Sequence, residues 1–312
     1  MAENYGLPYA GSKSRIAHWV IDQLPRGRVL IDAFAGGCAI THCALLSQKW
    51  QTIIANDING KYQQLFLDAV RGKYRDERRW ISREDFERLK SQDAFFACCW
   101  SFGNNLQVYM YSKVIEPYKR ALHYAIVLDD FAPMQELMPE VSQAVHEAIH
   151  LIRNTHDRRI TAQNVIVETL KRLTGDNYAH QIIQSNPLFR CIRHSRRGAQ
   201  SLGRLESLES LERLRVTSLS YDEIDIPDDA VVYCDPPYHA SYNILYEGTA
   251  GAFDHCAFYD WCVRVSKTNP IFISEYSIED DRFEIVAEKQ KMTSMSPVKS
   301  FNVTERLYTV KK

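Results

Sequence analysis

The sequence carries no excess of charge of either sign. Its 312 residues include 38 Lys and Arg against 39 Asp and Glu, which gives a formal net charge of -1. A near-neutral protein has no global field that attracts polyanions. Any contact with nucleic acid must therefore come from a local basic patch.

Long hydrophobic runs are also lacking. The most apolar long window, residues 29–47, contains Asp32, Thr41, His42 and two adjacent glycines, which do not suit a membrane helix. The first residues show no basic segment followed by an apolar core, so we expect no secretory signal. We therefore expect no membrane partner and a cytoplasmic location.

The cysteine and histidine patterns show no disulfide or metal signature. None of the 8 cysteines forms a Cys-x-x-Cys pair, and His42, His180, His194 and His255 do not pair with another ligand at zinc spacing. The chain is too long for a disulfide-stapled miniprotein. We expect buried, reduced thiols and assign no metal.

The patterns that are present are typical of a globular α/β protein. Hydrophobic residues make up 45% of the chain and charged residues 25%. Short apolar runs predict strands at residues 28–34, 52–55, 216–219, 231–233, 271–273, 283–286 and 307–310. Helical spacing predicts helices at residues 12–24, with Ser12 available as a cap, and at 38–46, 60–70, 141–153 and 162–173.

The order of these elements predicts a split domain. A strand, a glycine turn and a helix, followed by a second strand and helix, favour a parallel α/β sheet. We predict that residues 1–74 and 216–312 form this domain, since strand patterns return only in the last third of the chain. Residues 75–215 then form a mostly helical, partly basic insertion.

The first chemical motif is the turn Asp32-Ala33-Phe34-Ala35-Gly36-Gly37, which follows the first predicted strand. Glycines there let a ligand approach the backbone, and the next helix offers its N–H groups. The spacing G-x-G-x-x-G is absent, which disfavours a simple nicotinamide site. About 20 residues further on, Asp57 ends the second strand, where a carboxylate can accept ribose hydroxyls. The alternative is an ordinary acid that caps the next helix.

The second motif is Asp235-Pro236-Pro237-Tyr238, which directly follows the predicted strand at residues 231–233. The prolines fix the backbone at the carboxyl edge of the sheet, where open α/β sheets bind ligands. Asp235 and the Pro236 carbonyl together offer two acceptors for the N–H groups of an exocyclic amine, and Tyr238 offers a ring for stacking. The alternative is a rigid proline turn without chemistry.

In order along the chain, these motifs resemble those of the alpha-group DNA adenine-N6 methyltransferases. That family has an A-G-[GS]-K segment, a D/E-x-F-x-G turn, an acid after the second strand, a target-recognition insertion and D-P-P-Y. This chain has Ala10-Gly11-Ser12-Lys13, the turn from Asp32 to Gly36, Asp57 and Asp235 to Tyr238 in the same order. The resemblance implies a Rossmann-like methyltransferase sheet that uses S-adenosylmethionine, with residues 75–215 as the DNA-binding insertion.

The resemblance also implies roles for single residues. Asp235, Pro236, Pro237 and Tyr238 would be catalytic. The cofactor-binding residues would be Tyr9, Gly11, Lys13, Asp32, Phe34, Gly36, Asp57, Ser220, Tyr221 and Asp235. For Lys13, a solvated lysine at a helix start is the alternative interpretation.

Two segments depart from the family pattern. Cys38 stands where many members have the second glycine of G-x-G. Residues 101–105 match only loosely a glycine-aromatic-asparagine segment that contacts DNA, and an ordinary loop explains them equally well.

The basic stretch from Arg190 to Arg204 suits phosphate contacts, because arginine neutralises phosphates without reading sequence. Arg190, Arg193 and Arg197 fall on one helical face, and we expect them to bind DNA. A solvated helix face is the alternative. We expect double-stranded DNA as the partner and no obligatory protein partner.

Together these features predict a site-specific DNA adenine-N6 methyltransferase, of the kind that bacteria or phages encode, acting on a flipped adenine. Cytosine-N4 methylation is the nearest alternative, because the exocyclic amine of cytosine is an equally poor nucleophile and needs the same activation. Another is a DNA-binding regulator on an inactive methyltransferase scaffold, which the Cys38 departure keeps open. A nicotinamide dehydrogenase is disfavoured.

Overall fold

The computed structural model describes residues 5–9, 11–174, 211–238, 253–293 and 301–312. The chain divides into two compact units, Met1–Lys73 with Arg204–Lys312, and Tyr74–Gly203. The predicted boundaries after residues 74 and 215, and the target-recognition role of the residues between them, remain predictions.

The first unit contains a mixed sheet of seven strands in the order β3-β2-β1-β4-β5-β7-β6 among the described residues. Strands β1 to β5 are parallel to their neighbours, whereas β7 runs antiparallel to both β5 and β6. The predicted Rossmann-like α/β class is confirmed. The strands are β1 Gly27–Asp32, β2 Trp50–Asn56, β3 Leu214–Thr217, β4 Val231–Cys234, β5 Ile271–Glu275, β6 Phe283–Thr293 and β7 Phe301–Val310.

Ten α-helices are described, and those of the second unit make its described residues mostly helical. Side chains cap the start of some of these helices: Ser82 accepts a hydrogen bond from Asp85 N, and Asp254 accepts one from Ala257 N. The helices are α1 Ala17–Gln23, α2 Ala39–Ser47, α3 Lys61–Val70, α4 Arg83–Leu89, α5 Ala94–Trp100, α6 Glu116–His123, α7 Ala132–Leu137, α8 Pro139–Ile149, α9 Thr155–Thr174 and α10 His255–Val265. None of the described helices is long and apolar enough to cross a membrane.

The predicted start of the first helix at Ser12 is wrong. The helix α1 begins at Ala17, and its N-terminal flanking residue provides no side-chain cap. The Ser12 hydroxyl instead accepts a hydrogen bond from Ser14 N at 3.3 Å, and Ser14 Oγ accepts one from Tyr5 N at 2.7 Å. These serines stabilise a turn around Lys13, whose side chain is buried.

The sheet order determines where a ligand can bind. Crossovers from β1 lead outwards to β2 and β3, and those from β4 lead the other way, so the direction reverses between β1 and β4. Ligands of open α/β sheets bind beyond the carboxyl ends of the strands at such a reversal. The last four residues of β1 are buried, and β4 is buried at every residue.

Asn56, the last residue of β2, ties the loops after three strands together. Its buried side-chain amide donates to the carbonyls of Ala33 and Leu219 at 3.1 and 3.0 Å. Its oxygen accepts from Thr217 Oγ1 at 2.8 Å and from Leu219 N at 3.0 Å. The amide thus has every hydrogen bond it can make, and the chain leaves β1, β2 and β3 in a fixed geometry.

We expect Asn56→Ala to lower the free energy of unfolding by about 3 kcal/mol, because buried partners on two loops lose their hydrogen bonds. Denaturant unfolding followed by circular dichroism measures this loss. Asn59→Ala is the matched control, since Asn59 is exposed just after the same strand. A loss at position 56 no larger than at position 59 would contradict the role of Asn56.

Candidate active site

The turn after β1 is held by hydrogen bonds to both backbone groups of Gly36. Gly36 N donates to Asp57 Oδ2 at 2.9 Å, and Gln63 Nε2 donates to Gly36 O at 3.1 Å. Gly36 has φ +46, a conformation that favours glycine. Asp57 also accepts from Asn59 N at 2.9 Å, so it both supports the turn and contacts the start of the next segment.

The N-terminal segment packs directly on this turn. Leu7 N donates to Gly37 O at 2.7 Å. A Cβ atom at Gly37 would lie 2.6 Å from the Cβ of Tyr9, so only glycine allows this approach. The Tyr9 ring also lies edge-on to Tyr62, with 5.1 Å between centroids. Tyr9, which the motif order assigned to the cofactor, therefore borders the glycine turn.

Asp32, at the end of β1, is a buried carboxylate that is only half satisfied. Its Oδ2 accepts hydrogen bonds from Thr41 N at 3.1 Å and Thr41 Oγ1 at 2.6 Å. Its Oδ1 is buried and has no hydrogen-bond partner among the described residues. Burial raises the pKa of Asp32 to about 7, and the charges of Asp235 and Asp57 add to the rise. The carboxylate therefore favours a cationic group beside Oδ1.

Phe34 and Tyr221 lie together in an aromatic cluster. Their ring centroids are 5.7 Å apart, and both rings contact Phe253 and Phe258. Ser220 precedes Tyr221 and caps a short 3-10 helix. Half-buried aromatic faces beside a glycine turn suit a planar ring of a ligand.

The second group of predicted residues surrounds a buried ion pair. Lys13 Nζ lies 2.7 Å from Asp235 Oδ1 and 3.9 Å from Glu305 Oε1. The Tyr238 hydroxyl donates a hydrogen bond to Glu305, and the Lys13 ammonium lies 4.5 Å from the centroid of the Tyr238 ring. Lys13 is thus buried and paired with Asp235, so the alternative of a solvated lysine is wrong.

Burial and the neighbouring carboxylates shift the pKa of Lys13 in opposite directions. Burial alone lowers the pKa of its ammonium, but the carboxylates of Asp235 and Glu305 raise the pKa above its ordinary value overall. Lys13 is therefore charged at neutral pH. Burial also raises the pKa of Tyr238 well above its ordinary value, so its hydroxyl stays protonated and remains a donor.

The remaining predicted residues lie as follows. Gly11 is exposed with φ +77, Pro236 is buried and Pro237 is partly exposed. Arg190, Arg193 and Arg197 lie outside the described residues. No group of three or more His, Cys, Asp or Glu side chains in the described part of the chain could hold a metal ion.

Three residues that organise the site were not predicted. Asn56 and Gln63 hold the backbone of the glycine turn, and Glu305 binds the Tyr238 hydroxyl. Asn56 carries a weak signal, since it is a polar residue beside the predicted Asp57. Gln63 and Glu305 lie within ordinary helix and strand patterns, which give no indication of their contacts.

Comparisons with known proteins give partial similarities to DNA methyltransferases. Residues 9–128 match the family model of the D12 class N6 adenine-specific DNA methyltransferases. A stretch of 63 residues is 38% identical to the Type II methyltransferase M2.HphI of Haemophilus parahaemolyticus. Both matches are to DNA methyltransferases, and each covers less than half of this chain. The second match spans 20% of this chain and 18% of that protein's length, so the chain covers only a small part of this relative.

Cys38, which departs from the predicted motif, has an unusual backbone conformation. It has φ 59 in the left-handed region and is fully buried at the N-terminus of α2. The resemblance predicts a glycine position here, and Cys38 adopts a backbone conformation that favours glycine.

We expect Cys38→Gly to change the free energy of unfolding by no more than about 1 kcal/mol, because relief of backbone strain offsets the lost side-chain burial. Cys38→Val should cost at least about 2 kcal/mol, since β-branched residues are strained at positive φ. Cys43→Val is the matched control, because Cys43 is a buried thiol within the helix α2. Denaturant unfolding measures both variants. An equal loss of unfolding free energy in Cys38→Val and Cys43→Val would show that the backbone at Cys38 is not strained.

We expect Asp32→Asn to stabilise the ligand-free protein above neutral pH. The folded-state pKa of Asp32 is raised to about 7 from an ordinary 3.8, so its contribution to stability is full below pH 3.8 and is lost as pH rises through 7. The ionised carboxylate then lowers the free energy of unfolding by up to about 4 kcal/mol. Asparagine avoids this loss because it is uncharged, and its side-chain oxygen can still accept the hydrogen bonds from Thr41.

Denaturant unfolding of both proteins between pH 5 and pH 9 measures this effect, with the exposed Asp228→Asn as control. The advantage of the Asp32 variant should grow between pH 5 and about pH 7 and stay constant above pH 7. An advantage that does not change between pH 5 and pH 7, or is absent, would show that the pKa of this carboxyl is not raised.

Proposed function

We propose that the protein is an S-adenosylmethionine-dependent DNA methyltransferase that transfers a methyl group to N6 of a target adenine. One observation carries the proposal. Strand β1 ends at the buried carboxylate Asp32, and its neighbour β4 is followed by the partly exposed carboxylate Asp235, beside a glycine turn held by Asp57. The family matches add that the chemistry of such a site is adenine-specific methylation of DNA.

The residues around the glycine turn fit S-adenosylmethionine. Asp32 would hold the ammonium group of its methionine portion, since Oδ1 is a buried acceptor without a partner among the described residues. Asp57 would accept the ribose hydroxyls, and Phe34 with Tyr221 would border the adenine ring. When bound, the cofactor supplies an electrophilic methyl group on a sulfonium.

The Asp-Pro-Pro-Tyr segment would activate the target amine. An exocyclic amine is a poor nucleophile because its lone pair is delocalised into the ring. Asp235 and the Pro236 carbonyl would accept its two N–H groups and favour a pyramidal nitrogen, while Tyr238 would contact the base. After transfer the nitrogen carries an extra proton, which Asp235 or water accepts. Positioning and polarisation would provide most of the rate enhancement, without a covalent enzyme intermediate.

The DNA must present the adenine outside the helix stack, because its amine is otherwise inaccessible to in-line attack. We assign recognition of the surrounding sequence to residues 75–215. Arg190, Arg193 and Arg197 would contact phosphates and contribute affinity rather than sequence discrimination.

We expect Asp235→Ala to lower methyl transfer to DNA at least 100-fold, about the effect of removing one preorganised polar group from an active site. The assay incubates the full chain with unmethylated duplex DNA and S-adenosylmethionine and measures methylated nucleosides by mass spectrometry. Asp228→Ala is the matched control, because Asp228 is an exposed acid just before β4.

N6-methyladenine formed by the unaltered protein and by the control, but not by Asp235→Ala, is the expected result. N4-methylcytosine would instead indicate the related cytosine activity. A protein that binds S-adenosylmethionine and DNA of many sequences but forms neither base would contradict the proposed function.

A further inference from the structure

Glu305 is a buried carboxylate for which the chemistry proposed above has no role. It lies on β7 and has no exposed surface. An ionised carboxylate in such a position is costly unless hydrogen bonds and an opposite charge compensate for lost hydration. Its contacts therefore indicate what the carboxylate does.

Two contacts of Glu305 connect it to the Asp-Pro-Pro-Tyr segment. Glu305 Oε1 accepts the hydroxyl of Tyr238, and the same oxygen lies 3.9 Å from Lys13 Nζ. Lys13 in turn is bonded to Asp235 Oδ1 at 2.7 Å. One ammonium therefore lies between two carboxylates, one of which is the proposed acceptor for the target amine.

The same contacts fix the ring of Tyr238. Its hydroxyl is anchored by Glu305, and the Lys13 ammonium lies 4.5 Å from its ring centroid. Tyr276 packs against it edge-on, at 4.7 Å between centroids and an interplanar angle of 89°. The hydroxyl, one face and one edge of the Tyr238 ring thus each have a contact, and together these contacts fix its orientation.

Lys13 limits what Asp235 can accept. While the ammonium is bonded to Asp235 Oδ1, that oxygen is less available to an amine N–H. A second carboxylate beside Lys13 weakens this exclusive pairing, because the ammonium is attracted to both charges. A small movement of Lys13 towards Glu305 then frees Asp235 without leaving a buried charge uncompensated.

We propose that Glu305 is a positioning residue of the methyl-transfer site, a role that rests on the proposed function. It anchors Tyr238 through the hydroxyl and shares Lys13 with Asp235. Through these two contacts it orients the aromatic ring and the acceptor that the target adenine meets.

The test compares Glu305→Gln with the unaltered full chain. Glutamine keeps the size and an acceptor oxygen but removes the charge, so kcat with saturating DNA should fall about 10- to 100-fold. The dissociation constant for S-adenosylmethionine should change less than about twofold, because Asp32 and Asp57, which would hold the cofactor, are bonded to Thr41, Asn59 and Gly36 rather than to Glu305. Glu288→Gln is the matched control, since Glu288 is a carboxylate of the adjacent strand β6 paired with Arg306.

Tyr238→Phe provides a second variant in which Glu305 remains but loses its donor. If Glu305→Gln and Tyr238→Phe both act through the contact between these two side chains, the kcat of the double variant should be only slightly below that of the less active single variant. Purely additive losses would show that Glu305 does not act through Tyr238. The melting temperature of each variant separates a general loss of folding from loss of positioning.

The outcomes separate this proposal from the proposed function. If the unaltered protein methylates adenine and Glu305→Gln keeps kcat within twofold, the role of Glu305 is refuted while the function stands. A lower melting temperature with unchanged kcat would likewise reduce Glu305 to a structural residue. If the unaltered protein transfers no methyl group to adenine, both the function and the role of Glu305 fail.

Discussion

The site depends on how the peptide of Gly36 is held. Its N–H is bound by Asp57 from the end of β2, and its carbonyl by Gln63 from the helix α3. A turn with both backbone groups fixed has one shape, and the N-terminal segment with Tyr9 packs against that shape. The carboxylates and aromatic rings around it are thus placed by backbone hydrogen bonding before any ligand binds, which reduces the ordering cost of binding.

Electrostatics gives this rigid turn a preference for a cationic ligand. Asp32 and Asp57 are both desolvated, and burial raises the pKa of each carboxyl. At Asp235 the buried Lys13 ammonium compensates the charge. The described contacts give Asp32 no such cation. A ligand with positive groups would therefore compensate the carboxylate for the hydration that it loses on burial. A sulfonium cofactor with an ammonium group has that character.

The fold was predictable because each strand contains a short apolar run, and all seven predicted runs overlap strands. The strands β6 and β7 extend beyond their predicted runs, since their remaining residues are mostly polar. Asp32, Asp57 and Asp235 were predictable as candidates because they lie at or just after the ends of β1, β2 and β4. The order of strands across the sheet was not, since local patterns do not determine pairing. Glu305 could not be found because its partner Tyr238 is 67 residues away and strand periodicity gives no sign of the contact.

A crystal structure of the protein with S-adenosylmethionine or its demethylated product tests the central claim most directly. The account predicts a ligand beside the Gly36 turn, with its ammonium group at Asp32 Oδ1, its ribose hydroxyls on Asp57 and its adenine near Phe34 and Tyr221. A ligand bound away from the carboxyl ends of β1 and β2, or one that touches neither Asp32 nor Asp57, would contradict it.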